Sequence, residues 1–280
     1  MTIAISTARD SALTGAGEEN NPFFAWENLA VGETLGGTST VSGGAASNAV
    51  NGNTRSYWLP DVTGTTARFR VTFATARTLS CVGIAAHNIA DYAGNVSVQR
   101  STDGGSVWSD AGAGTVSPDD NAAIVFRMVD TGADAADWRI NIGGLTIGDD
   151  IAIGVAFFGD EIIMPQRFYQ GYAPVITPTE VDLQSNVSVG ANLLGTSVVK
   201  RGSRLSASFS HVSPTFIRGA DWLAFQAAFN DGNPAFFAWR PEKYPDDVHY
   251  IWRDGEVIRP NNSGPRDLMD VSVDARAYEG

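Results

Sequence analysis

One cysteine, three histidines and only two lysines, Lys200 and Lys243, limit the chemistry this 280-residue chain can carry. Cys81 has no internal disulfide partner, and its apolar run Leu79–Ile84 marks it as a buried thiol. His87, His211 and His249 are too far apart for a metal pair or a His-Glu-x-x-His helix, so structural or surface roles are expected. No Gly-x-Ser-x-Gly elbow presents a nucleophile, and Asp119-Asp120, Asp149-Asp150 and Asp246-Asp247 sit in turn-like sequence where Asp bonds local amides. No readable catalytic set remains, and the chain is expected not to be an enzyme. Apolar stretches such as Ile151–Phe158 fall short of the roughly 20 residues that cross a bilayer, so membrane insertion is not expected. The opening Met1–Ser6 lacks a basic segment followed by an apolar one, and no signal peptide is expected. A net charge of -12 argues against nucleic acid as a partner.

What is present is apolar and turn-rich. Hydrophobic residues make up 43% of the chain and Gly numbers 30, which predicts a well-buried core built from short strands. Arg68–Phe73 and Val96–Gln99 alternate polar with apolar, and Ile124–Val129, Trp138–Ile142 and Ile151–Phe158 read as further strands. Gly36–Gly44 reads as a flexible loop and Ser11–Asn21 as a poorly held segment. Residues 1–164 carry 8 basic and 18 acidic side chains against 11 and 13 in residues 165–280, a contrast that predicts two domains. The boundaries expected are a segment 1–24, a sandwich 25–163, a linker 164–178 broken by Pro165, Pro174 and Pro178, and a β-rich domain 179–280. In the latter, a hairpin is expected around Lys200–Ser203. One helix is expected over 214–230, with Trp222, Phe225 and Phe229 beside Leu223 and Ala228 on its apolar stripe.

The sharpest local pattern is Ser101-Thr102-Asp103-Gly104-Gly105-Ser106-Val107-Trp108, which fits the Asp-box S-x-D-x-G-x-x-W. Occurring once, it reads as a hairpin staple with Trp108 packed beneath the turn. With Ala46–Thr54, Tyr57-Trp58, Phe69–Phe73, Arg77–Ile84 and His87-Asn88 around it, the stretch 25–163 resembles the discoidin (coagulation-factor type C) family. The resemblance implies an all-β galactose-binding-like jelly roll that binds glycan or a membrane surface through loops at one end. The acidity of the first domain disfavours anionic lipid. Arg55, Tyr57, Trp58, His87, Asn88 and Tyr92 lie near the family's loop positions and are the implied glycan site, although Trp58 also suits the core. Jelly rolls of this kind often hold a structural Ca²⁺, for which Asn48, Asn51 and Asn53 are the implied oxygen donors. A hydrogen-bonded turn explains them as well, and Asn51 stands where the family commonly has Asp. No other cofactor is implied.

The stretch 165–280 resembles structural proteins of long-tailed bacteriophages, some of which form distal-tail or baseplate rings. That resemblance rests on Ser213–Phe216, the aromatic block Gly232–Pro241 and Tyr244–Trp252. It implies a virion tail-tip protein assembled in the host cytoplasm, with itself and other tail proteins as partners. Phe236, Phe237, Trp239, Arg240, Tyr250 and Trp252 are the expected assembly interface. The alternative is a carbohydrate-binding module of a bacterial cell-surface or glycan-processing protein.

Overall fold

The computed structural model describes residues 2–128, 134–168, 172–175, 180–264 and 266–278. The chain opens with β1 (Thr2–Ile5), helix α1 (Thr7–Ala16) and β2 (Phe23–Ala25). There follow β3 (Thr34–Gly37), β4 (Ala67–Arg77), β5 (Cys81–His87), β6 (Asn95–Ser101), β7 (Ser109–Val116), β8 (Ile124–Arg127), β9 (Ala135–Gly143), β10 (Ile153–Gly159) and β11 (Glu161–Ile163). The remainder comprises β12 (Glu180–Val187), β13 (Leu193–Val212), the short helix α2 (Pro214–Ile217), α3 (Ala220–Asn230), β14 (Ala235–Ala238), β15 (Val248–Arg253), β16 (Asn261–Asn262) and β17 (Met269–Ala277).

The architecture is all-β with few helices, as the turn-punctuated alternation predicts. A five-stranded sheet, β3-β4-β9-β6-β7, faces a four-stranded one, β1-β8-β5-β10, and the two close a jelly-roll sandwich. Period-two alternation sends Phe69 and Val71 of β4, Val96 and Val98 of β6, and Trp138 and Ile140 of β9 into this first core. The second sheet system, β11-β2-β14-β15-β17-β13-β12 with β16 on β17, carries α3 on one face. Trp222, Phe225 and Phe229 pack there against Phe24, Phe209 and Phe237.

Several boundaries differ from the sequence reading. Residues 11–16 belong to α1, which buries Leu13; Ser6 Oγ accepts the Arg9 amide at its start and Gly17 closes it in the left-handed region at φ 71°. Gly36 and Gly37 form part of β3. Neither β2 nor β11 stays with the jelly roll: both hydrogen-bond into the second sheet. The expected hairpin at 200–203 is absent, because β13 runs unbroken from Leu193 to Val212, and the turn falls instead at Ser188–Asn192. A Gly-Ser pair inside a strand is tolerated where the ladder on both sides continues, here to β12 and β17. The helix predicted over 214–230 breaks at Arg218-Gly219, and Leu223 is exposed on the far side of α3. Of the expected linker, Phe168 and Tyr172 stack 5.0 Å apart against the second core, while residues 169–171 and 176–178 lie outside the described residues, as do Val129 and Thr179.

The two sheet systems share a third core. The outer face of β5, β8 and β10 packs on the outer face of β2, β14 and β15, burying Cys81, Ala85, Val125, Phe157, Phe236, Ala238 and Tyr250. Gly83 makes the close approach here: a Cβ at that position would lie 2.7 Å from the Phe236 ring. Burial raises the Cys81 thiol well above its ordinary range, in keeping with the buried thiol read from its apolar run.

Candidate functional site

The loop end of the jelly roll comes together around the start of β10, where Trp58 bridges to Ile153 and His87 pairs with it in register. Two of the expected glycan residues, Trp58 and His87, point inward. Trp58 is fully buried and packs edge-on to Phe69 at 5.2 Å, so it fills the core and offers no platform. His87 is buried, with Nε2–H donating to the Ala122 carbonyl at 2.6 Å and Nδ1 accepting the Ile89 amide at 3.3 Å. Asn88 spends its amide on Asp150 and Ala152, and Tyr92 is half-buried against the first core. Arg55 is exposed and Tyr57 half-buried, and these two alone do not enclose a ligand.

The three asparagines fit a turn better than a Ca²⁺ cage. Asn51 Oδ1 accepts the Asn53 amide and Asn53 Oδ1 accepts the Arg55 amide, both at 2.8 Å, while Asn48 donates to the Gly43 and Tyr57 carbonyls. These successive Asx turns account for the Asn51 and Asn53 oxygens without a cation, and among the described residues no group of three or more His, Cys, Asp or Glu side chains is placed to hold one. The turn is also docked: Tyr250 Oη donates to the Gly52 carbonyl at 2.9 Å across the junction of the two sheet systems.

The expected assembly aromatics are mostly interior. Phe236, Phe237 and Tyr250 are buried in the second and third cores; Trp239, Arg240 and Trp252 are half-buried. Strand alternation cannot separate an aromatic facing a partner from one facing a second sheet, and here both faces of β14 are covered.

A different constellation occupies the solvent face of the five-stranded sheet. Arg68, Arg70 and Thr72 of β4 project outward because Phe69 and Val71 face the core; Asp137, Arg139 and Asn141 of β9 do so because Trp138 and Ile140 face in. Register then aligns Arg70 with Arg139 and Gln99, and Arg68 with Asn141. The Asp-box hairpin closes one side. Ser101 Oγ bonds Asp103, Asp103 Oδ1 accepts the Ser106 and Val107 amides, and Trp108 Nε1 donates to the Gly105 carbonyl at 2.9 Å. The Ser101 hydroxyl first, then the Val107 amide, hold the Asp103 carboxyl below its ordinary range. Trp108 therefore does not pack into the core. Its ring meets the Arg139 guanidinium at 4.1 Å and that of Arg70 at 5.5 Å. Arg68, Arg70, Arg139, Trp108, Thr38 and Gly105 line a cleft of about 310 Å³. That volume is at the small end of ligand pockets, roughly 300–1,000 Å³.

This cleft is not legible in the sequence. Its outward residues were legible in the alternation of β4 and β9, but the register that brings two strands and one hairpin together is not a local property.

No curated protein sequence matches the chain. Among solved structures it is similar to a GH29 fucosidase of Ruminococcus gnavus, at 14% identity and TM-score 0.40 over 49% of this chain and 27% of that one. The chain thus spans about a quarter of the fucosidase's length. It is also similar to chitosan-binding module 2 of a chitosanase/glucanase from Paenibacillus sp. IK-5, at 16% identity and TM-score 0.39, over 47% of this chain and 99% of the module. The family match covers none of residues 152–280: it runs over residues 35–151, within the jelly roll, and the family is the F5/8 type C domain.

Proposed function

We propose that this chain is a non-enzymatic carbohydrate-binding protein whose jelly roll recognises saccharide in the cleft between Trp108 and the arginines of β4 and β9. The observation that carries this reading is the cleft itself: planar hydrogen-bond donors converge beside an indole on the open face of a domain matching the F5/8 type C family. Guanidinium groups bond vicinal hydroxyls or charged substituents, and an indole shields the apolar face of a sugar. Calorimetric titration of the full chain with neutral and acidic oligosaccharides is the test. Trp108→Ala should weaken binding about tenfold or more while leaving the melting temperature close to that of the parent. An unmodified chain that binds no saccharide in the panel would remove the reading.

A second reading, self-assembly of the kind expected for a phage tail-tip component, is supported by one feature of the second sheet system. The β12–β13 arm carries no charged residue from Leu183 to Val198. It nevertheless exposes Leu183, Val187, Val189, Leu193, Leu194 and Val198. Solvated edge strands are usually protected by charge, bulges or proline, and an uncharged apolar arm suits coverage by another chain. Assembly on this reading uses the arm and not the aromatic block around Phe236.

A further inference from the structure

We infer that the cleft on the five-stranded sheet selects saccharides bearing an oxyanion, a carboxylate or a sulfate, with Arg68 and Arg139 as the groups that take it. This rests on the carbohydrate-binding reading and names the substrate class of the same site.

Three guanidiniums line the cleft, and among the described residues one carboxylate answers them. Asp137 pairs with Arg70 at 2.7 Å and also accepts the Thr72 hydroxyl at 2.6 Å. Arg139 has Nε on the neutral Gln99 Oε1 at 2.7 Å, and Arg68 reaches the neutral Asn141 Oδ1 only at 3.4 Å. Neither is in an ion pair among the described residues, in a chain whose acidic side chains outnumber basic ones 31 to 19.

The arrangement is also unfavourable without an anion. Arg70 and Arg139 stand directly opposite in the β4–β9 register, and like charges so placed oppose pairing. Burial first, and then the neighbouring Arg68 and Arg70, lower the pKa of Arg139 to about 10. The negative face of the Trp108 ring attracts the Arg139 guanidinium at 4.1 Å. A bound oxyanion supplies the missing countercharge and takes the remaining Nη donors in fork geometry, the planar match at which arginine excels.

The backbone of the hairpin makes room for the Arg70 guanidinium at the cleft wall. At Gly105, with φ 87°, a Cβ would lie 2.7 Å from Arg70 Nη2, so a side chain there would push into the guanidinium that the Gly104 carbonyl and Asp137 hold in place. The small volume and the surrounding negative charge suit a substituted sugar unit better than a uniform polyanion such as nucleic acid, which the rest of the surface would repel.

The test is a set of titrations on the full chain with four probes: a neutral oligosaccharide, an oligouronate, a sulfated oligosaccharide of the same length, and a single-stranded oligonucleotide. One or both acidic saccharides should bind at least tenfold more tightly than the neutral one. That preference should shrink on raising salt and disappear in Arg139→Gln and Arg68→Gln. Arg68 is exposed, so Arg68→Gln keeps the test valid if Arg139→Gln unfolds. The uronate and sulfate arms tell the two oxyanions apart. Equal, salt-insensitive binding of neutral and acidic sugars overturns the inference and leaves carbohydrate binding standing. Preference for the oligonucleotide overturns the inference, and failure of every saccharide removes both readings.

Discussion

Arg127 of β8 and Glu161 of β11 form a two-pronged ion pair in which neither side chain has exposed surface, with Nε to Oε2 at 2.6 Å and Nη2 to Oε1 at 3.0 Å. Arg9 of α1 joins the same carboxylate, and the Phe23 ring lies 4.4 Å from the Arg127 guanidinium. One carboxylate thus ties together the N-terminal helix, the jelly roll and the second sheet. Removing its charge strands Arg127 in the interior. Glu161→Gln should cost about 3–5 kcal/mol in denaturant unfolding, the usual loss when one partner of a buried pair is neutralised. A loss below about 1 kcal/mol would mean that water reaches the pair on modest rearrangement.

His87 should make stability fall in mild acid. Burial lowers its pKa from 6.5 to about 4 against the smaller opposing effects of the Ala122 carbonyl and Asp120. Its Nε2–H tautomer, donating to Ala122 and accepting from Ile89, is a neutral imidazole with both nitrogens used. Between about pH 6.5 and pH 4 the unfolded chain takes up a proton that the folded chain refuses. The stabilisation is therefore complete above about 6.5 and declines by about 3 kcal/mol as pH falls to about 4. Unfolding free energies of the parent and His87→Gln across this window should show the slope in the parent alone. Equal slopes would mean that carboxylates set the acid response.

The arm of β12 and β13 should govern association if copies of the chain assemble. Leu193 faces Val187 across the hairpin, and both are exposed. Light scattering over a concentration series should show discrete multiples for the parent and a shift toward monomer for Leu193→Lys with Val187→Glu. Because these positions lie away from all three cores, the melting temperature should change little. A parent that stays monomeric at every concentration tested would count against self-association through the arm.

Much of the jelly roll was readable because its strands are half-buried and alternate. Phe69, Val71, Trp138 and Ile140 declare their strands by period, and Ser101–Trp108 declares its hairpin through Asp103. The stripe Trp222, Phe225 and Phe229 likewise announced the helix that packs on the second sheet. The weaker α1 went unread because its apolar content is low, although Ser6 and Gly17 bracket it with the residues that start and stop helices.

The chain alone determined which residues face in and which face out along each strand, since a side chain's side of a sheet follows from its parity, and it determined the acidity that disfavours polyanions. Tertiary structure decided everything that depends on which strands meet. It sent Trp58 and Phe236 inside and left the 183–198 arm uncovered. By pairing Arg70 with Arg139 under Trp108, it made a cleft from four segments separated by about 30 residues each. Parity is local, whereas register and sheet-on-sheet packing are set by the free energy of burying many side chains at once.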